Sequence, residues 1–209
     1  MNEQNNIGVL LSINTKPIEN ILAGLKEWEI RKTRPKLEPP FTCYIYATKR
    51  KSAKDYLIVT ECNNGDYNHS YYGNGKVIGE FICDNIMVFG YDEHIGYPTP
   101  AYEGDESFLD CGPGYWITVG DLEKTGLTGE EFNKYGNGKD LYGLHISNLV
   151  IYDEPKELNE FRKPCLHLEK CEECKRSINQ ELPFGEISIG CDNVLLYSPQ
   201  SWCYVEVLK

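Results

Sequence analysis

The sequence predicts an α+β fold: a small, partly closed β-barrel with short flanking helices. Three observations lead there. Fifteen Tyr and nineteen Gly among 209 residues favour pleated strands interrupted by turns. Apolar or alternating runs of strand length recur along the chain, whereas the helical patterns last only about two turns. The 41% hydrophobic content supplies one packed core, and no apolar run approaches the roughly 18 residues of a membrane-spanning helix.

GVLLSI (8–13) is a short apolar run ending in polar residues, the pattern of a first strand. Pro17 suits the first position of a helix, Ile18, Ile21, Leu22 and Leu25 follow at helical spacing, and Gly24 is a natural stop. EWEIRK then alternates with period two: Trp28 and Ile30 face one side, Glu27, Glu29 and Arg31 the other. A Pro- and Lys-rich connection leads to the strand TCYIYAT (42–48), in which Tyr44 and Tyr46 share a face. Residues 49–75 hold a basic patch, a short strand (56–60) and a polar insertion. KVIGEFICDNIMVFGY (76–91) reads as the longest β run, and 92–126 shows little period. TGEEFNKYG (128–136) has a capping box, Thr128 with Glu131, and Gly136 as its expected stop. A strand over 142–152 broken near Ser147, a short helix from Pro155 to Phe161, an irregular Cys-rich stretch and a last strand in SWCYVEVL complete the chain. The expected organisation is one domain from 1–161 and 199–209, interrupted by a Cys-rich insertion at 162–198.

The net charge of −11 opposes wrapping a long duplex, but it is unevenly placed. Residues 16–54 carry ten Lys or Arg against four acids, while the remainder carries eleven against twenty-eight. A basic field on an acidic body suits a small anionic ligand or a short single strand of nucleic acid; it also suits a solvated basic face. MNEQNNIGVLLSI has neither a basic n-region nor a signal-type apolar segment, so a cytoplasmic chain with reduced thiols is expected and no membrane partner. The sequence sets no oligomeric state.

Glu29 and Arg31 are two apart on a strand, about 7 Å along the chain, and Lys26 lies where that face begins. Together they offer an acceptor for an amino or amide N–H and two grips for carbonyl or phosphate oxygens. Two adjacent cations favour an ionised Glu29. The same pattern also fits a cross-strand salt-bridge network.

The order of these motifs resembles the ASCH domain family. Gly24, Lys26, Glu29 and Arg31 match its G-x-K-x-x-E-x-R hallmark, Ser12, Lys16 and Pro17 match the lead-in, and KVIGEF matches a family strand. YGLHISNLVIYDEPKEL and PQSWCYVE look like its larger phage- and Firmicutes-associated members. The resemblance implies a PUA-like fold and a cleft beside the first helix that binds RNA or a modified nucleoside. The implied ligand-binding set is Ser12, Lys16, Lys26, Glu29 and Arg31, with Tyr46 and Trp202 as aromatics able to stack a base. Core packing is the alternative role for each aromatic. Some small ASCH proteins are amidohydrolases of N4-acetylcytidine and carry Thr where this chain has Glu29. An enzyme reading would rest on Lys26 and Glu29, with Glu80 of KVIGEF as a second carboxylate. A third reading is a protein-interaction module docking through the acidic body and the Cys-rich insert.

In that insert, Cys171-x-x-Cys174 has the spacing that turns two sulfurs toward one ion, and Cys165 (or His167) with Cys191 would complete a structural zinc site. Free surface thiols are the alternative. Cys43, Cys62, Cys83, Cys111 and Cys203 read as small core residues, and His69, His94 and His145 as solvated or hydrogen-bonded.

Overall fold

The computed structural model describes residues 7–49, 57–61, 68–72, 74–93, 114–115, 117–164 and 193–208. The strands are β1 (Ile7–Ile13), β2 (Trp28–Arg31), β3 (Phe41–Ala47), β4 (Leu57–Glu61), β5 (Asn68–Tyr72), β6 (Val77–Cys83), β7 (Ile86–Phe89), β8 (Tyr91–Asp92), β9 (Gly114–Tyr115), β10 (Leu141–His145), β11 (Ser147–Lys156) and β12 (Trp202–Glu206). The helices are α1 (Thr15–Leu22), α2 (Val119–Thr125) and α3 (Gly129–Gly136). The fold is α+β. Five strands form a mixed sheet in the order β11-β6-β3-β1-β12, parallel only between β1 and β3, and three form the antiparallel sheet β2-β10-β7. β4 pairs with β5 and β8 with β9 as separate ribbons.

Both faces of the five-stranded sheet are covered, which is why β1 and β3 read as nearly continuous apolar runs. Val9, Leu11, Ile13, Cys43, Ile45 and Ala47 pack under Ile18 and Ile21 of α1. Leu10, Tyr44 and Tyr46 pack on the opposite face against Phe161, Leu195 and Val205. A helix of eight residues is marginal alone. Burying Ile18 and Ile21 almost completely, for about 1.5–3 kcal/mol each, holds α1 in place.

The α1 boundary differs from the expectation. It starts at Thr15, with Asn14 as N-cap, so Pro17 is third rather than first; its missing N–H is still one of the four that have no intrahelical acceptor. Ending at Leu22, the helix leaves Leu25 off its apolar stripe, 62% exposed. The long β run at 76–91 is also broken, at Asp84–Asn85, while the 142–152 run breaks at Ile146, next to the expected Ser147, and continues to Lys156. These two breaks carry the chain between the sheets, from β6 into β7 and from β10 into β11. Leu144 of β10 accordingly joins the core cluster beneath α1. Gly79 lets β11 cross β6 closely: a Cβ there would lie 2.3 Å from the Val150 carbonyl oxygen. The helix expected from Pro155 is a short 3-10 turn, Leu158–Glu160, because β11 runs on to Lys156.

The residues at the two ends of the Cys-rich stretch bond to each other. Lys163 N–H donates to Asn193 O (2.7 Å) and Leu195 N–H to Phe161 O (2.9 Å), and Leu195 is buried in the core. No helix among the described residues is long and apolar enough to cross a membrane.

Candidate functional site

The turn after α1 sets which side chain goes inside. Gly24 takes φ +69°, and the N–H groups of Leu25 and Lys26 both donate to Asn20 O at 2.9 and 3.1 Å. This throws Leu25 into solvent and sends Lys26 inward, 5% exposed. Glu27 anchors the start of β2: its N–H donates to Lys124 O (2.7 Å), and its carbonyl accepts from Ile146 N–H (2.8 Å). β2 then pairs with β10, Glu29 opposite Leu144 and Arg31 opposite Tyr142. Trp28 and Ile30 enter a third apolar cluster with Phe89, Phe132 and Leu141, so Glu29 and Arg31 take the other face.

Lys26, Glu29 and Arg31 meet, and all three are buried. Arg31 Nη2 lies 2.8 Å from Glu29 Oε1 and donates to Ser12 O at 3.0 Å; Nη1 reaches Ser201 O at 3.2 Å. Lys26 Nζ donates to Thr125 O at the end of α2 (2.6 Å) and lies 3.5 Å from Glu29 Oε2. That last distance is an ion-pair contact too long for a good hydrogen bond, and Glu29 Oε2 has no hydrogen-bond partner; neither has Arg31 Nε. Burial lowers the Lys26 pKa; the Glu29 carboxylate opposes the shift and Arg31 adds to it. The site therefore holds one carboxylate between two cations, with one acceptor of that carboxylate unused. Such an arrangement can receive an N–H donor, and it keeps an ammonium whose proton is more easily lost than usual.

The other sequence-derived candidates differ in their relation to this trio. Ser12 contributes its carbonyl to Arg31, while its hydroxyl turns to Pro199 O (2.6 Å). Lys16 is exposed on the first turn of α1, close enough to α3 to act on the Glu131 carboxylate. Trp202 follows Ser201 and donates its indole N–H to Thr33 Oγ1 (3.1 Å), at the edge of the trio. Tyr46 and Glu80 are not brought to it. Tyr46 lies in the cluster on the sheet face opposite α1, whereas Arg31 and Glu29 act on the Cys43 thiol of the α1 face. Glu80 is in register with Tyr44 and accepts from the Tyr152 hydroxyl (2.5 Å). Burial and the Glu80 carboxylate push the Tyr152 pKa up. Cys165, Cys171, Cys174, Cys191 and His167 lie outside the described residues, as do Cys62, Cys111 and His94. Among the described residues no group of His, Cys, Asp and Glu is arranged to hold a metal. Cys43 and Cys83 are fully buried, Cys203 is half-buried, and His145 bonds Asp84 Oδ1 through Nδ1 (2.6 Å).

Two partners of the trio, Thr125 and Ser201, escape the sequence reading. Thr125 ends α2, whose signals are present: Thr118 caps the Asp121 N–H, and Gly126 closes the helix at φ +68°. Ser201 carries no such signal.

The fold and site define an α+β protein with a buried site of three charges. Solved structures similar to it include ASCH from Zymomonas mobilis, 13% identical with a TM-score of 0.43, covering 76% of this chain and 77% of that one. A mutant of the same Zymomonas mobilis protein is 14% identical with a TM-score of 0.41, over 73% and 77%. No family model matches the chain, and no curated protein matches it.

Proposed function

We propose that this chain is a PUA-like binding module of the ASCH type that recognises RNA or a modified nucleoside through Lys26, Glu29 and Arg31. One observation carries the reading: Glu29 Oε2 is buried between two cations and lacks a hydrogen-bond donor. An unsatisfied buried acceptor costs about 1–3 kcal/mol, a cost that a guest N–H would remove. The edge of a base, with an amino or imino N–H beside a carbonyl, supplies a donor for Glu29 and an acceptor for Lys26 or Arg31. The exposed Lys16 supplies charge for a phosphate near the rim. Oε2 is covered, so a guest reaches it only if a neighbouring side chain moves.

Titration of cytidine, N4-acetylcytidine and a short single-stranded RNA at low and high salt tests this. Binding should occur, RNA affinity should fall with salt, and Lys16→Ala should weaken RNA more than nucleoside. No binding of any of them at either salt refutes the proposal.

The lowered Lys26 pKa favours a second reading, hydrolysis of an acyl amide on a modified nucleoside with Lys26 as base and Glu29 positioning water. Turnover of acylated nucleosides that disappears in Lys26→Ala supports it; no turnover across the panel removes it.

A further inference from the structure

A groove of about 690 Å³ lies on the sheet face that carries Tyr46, opposite the α1 side. This volume falls within the roughly 300–1,000 Å³ of small-molecule sites. Its charge is one-sided. Glu157, a carboxylate of the lining, is already occupied: Lys76 Nζ sits 2.8 Å from it, and its side chain accepts the Glu160 N–H. Lys49, at the end of β3, has no carboxylate partner among the described residues. Its aliphatic stem lies over Gly75, with carbons 3.4–3.5 Å from where a Cβ would stand, and this restrains the chain that carries the ammonium.

The groove also holds polar groups with no hydrogen-bond partner among the described residues. Tyr46 is 6% exposed and lines the groove, yet its hydroxyl bonds nothing among the described residues, and the same is true of the Asn159 amide and the Ser198 hydroxyl. Groups so placed exchange with water or a ligand. Beside them, Leu158 and Leu195 give an apolar floor, while the Tyr197 ring stands 84% exposed. An uncovered aromatic ring, one uncompensated cation and several unspent donors call for a ligand that is planar and apolar on its face, polar on its edge and negatively charged at one end.

We infer that this groove is a second binding site, for a planar aromatic ring bearing an anionic group, of the mononucleotide class. Lys49 holds the anion, Tyr197 stacks the ring, and Asn159, Ser198 and Tyr46 bond its polar edge. The site stands independently of the trio.

The test is a titration of the full chain with cytidine monophosphate, cytidine and inorganic phosphate at low salt, followed by amide NMR shifts. Cytidine monophosphate should bind and move the amides of Asn159 and of residues 195–198. Cytidine should bind about tenfold more weakly, for want of the charge-assisted bond to Lys49. Tyr197→Ser should weaken cytidine monophosphate about tenfold to a hundredfold through lost stacking, and Lys49→Ala about tenfold. Both side chains are exposed, so unchanged melting temperatures show that the variants remain folded. Absence of shifts in the groove overturns the inference. So does binding that moves only residues 26–31 and Thr125, which assigns the ligand to the trio, and so does affinity indifferent to both substitutions.

Discussion

Replacing Glu29 with Gln is the most direct perturbation of the trio. The amide keeps the shape of the carboxylate and removes its charge. Arg31 and Lys26, 6% and 5% exposed, then face a neutral group that can offer them only one acceptor. Breaking a buried ion pair by neutralising one partner costs about 3–5 kcal/mol, because the other charge stays out of water without compensation. Here Arg31 keeps Ser12 O and Ser201 O, and Lys26 keeps Thr125 O, so the lower end of that range applies, about 3 kcal/mol. For a chain of this length that corresponds to a fall in melting temperature of roughly 6–12 °C. Thermal and urea melts followed by far-UV circular dichroism measure it, with an unchanged urea slope showing that only stability moved. The exposed pair Lys76–Glu157 is the control: Lys76→Gln should cost at most about 1 kcal/mol. A Glu29→Gln cost no larger than the control's means that the carboxylate is not a buried ion-pair partner in solution, and the geometric basis of the site is lost.

Arg31→Lys keeps the charge but not the planar fork that serves Glu29, Ser12 O and Ser201 O together; a loss of about 2–3 kcal/mol in urea melts is expected. Gly79→Ala drives a methyl toward the Val150 carbonyl, 2.3 Å from the Cβ position, and should cost about 3 kcal/mol or leave the protein insoluble; a neutral effect refutes the close crossing of β6 and β11. The pH dependence of Lys26 has a definite sign. Its folded pKa lies below the ordinary 10.5, so between the two values the unfolded chain holds a proton that the native state has released, and stability rises with pH across that window. Lys26→Met lacks this gain, so the stability of the wild type relative to the variant should increase toward pH 10.5 in chemical melts; a flat difference shows that burial does not depress the group.

Much of the local architecture could be read from residues a few positions apart. The Thr128–Glu131 capping box forms, although Asn137, at φ 51°, terminates α3 in place of Gly136. Period two places Glu29 and Arg31 on one face, and the break near Ser147 falls at Ile146. What could not be read was set by distant packing. Thr125 meets Lys26 across 99 positions and Ser201 meets Arg31 across 170, and no local spacing encodes either contact. Tyr44 and Tyr46 share a face, as alternation requires, but β3 is covered on both sides, so composition could not say which side they occupy. Leu25 leaves the apolar stripe expected of it because one residue, Gly24, turns the chain at the helix end.

The position of the trio would tie folding to the binding proposed for it. Pairing of β12 with β1 runs from Glu206 opposite Ile7 to Trp202 opposite Leu11, so the Ser12 carbonyl lies just past the ladder. Arg31, from the other sheet, takes that carbonyl and the Ser201 carbonyl beside it, and so joins β2 to the edge of the five-stranded sheet where no strand pairing does. A guest donating to Glu29 Oε2 adds a bond to this junction without removing the Arg31 contacts. Its binding should stabilise the native state by mass action, about 2.7 kcal/mol at a hundredfold excess over Kd. It should also slow amide exchange at Ser12, whose N–H donates to Ser201 O across the same junction. A trio that serves only as structural cement predicts neither effect with any nucleoside or RNA, so thermal shift and hydrogen exchange measured on the same titration separate the two roles.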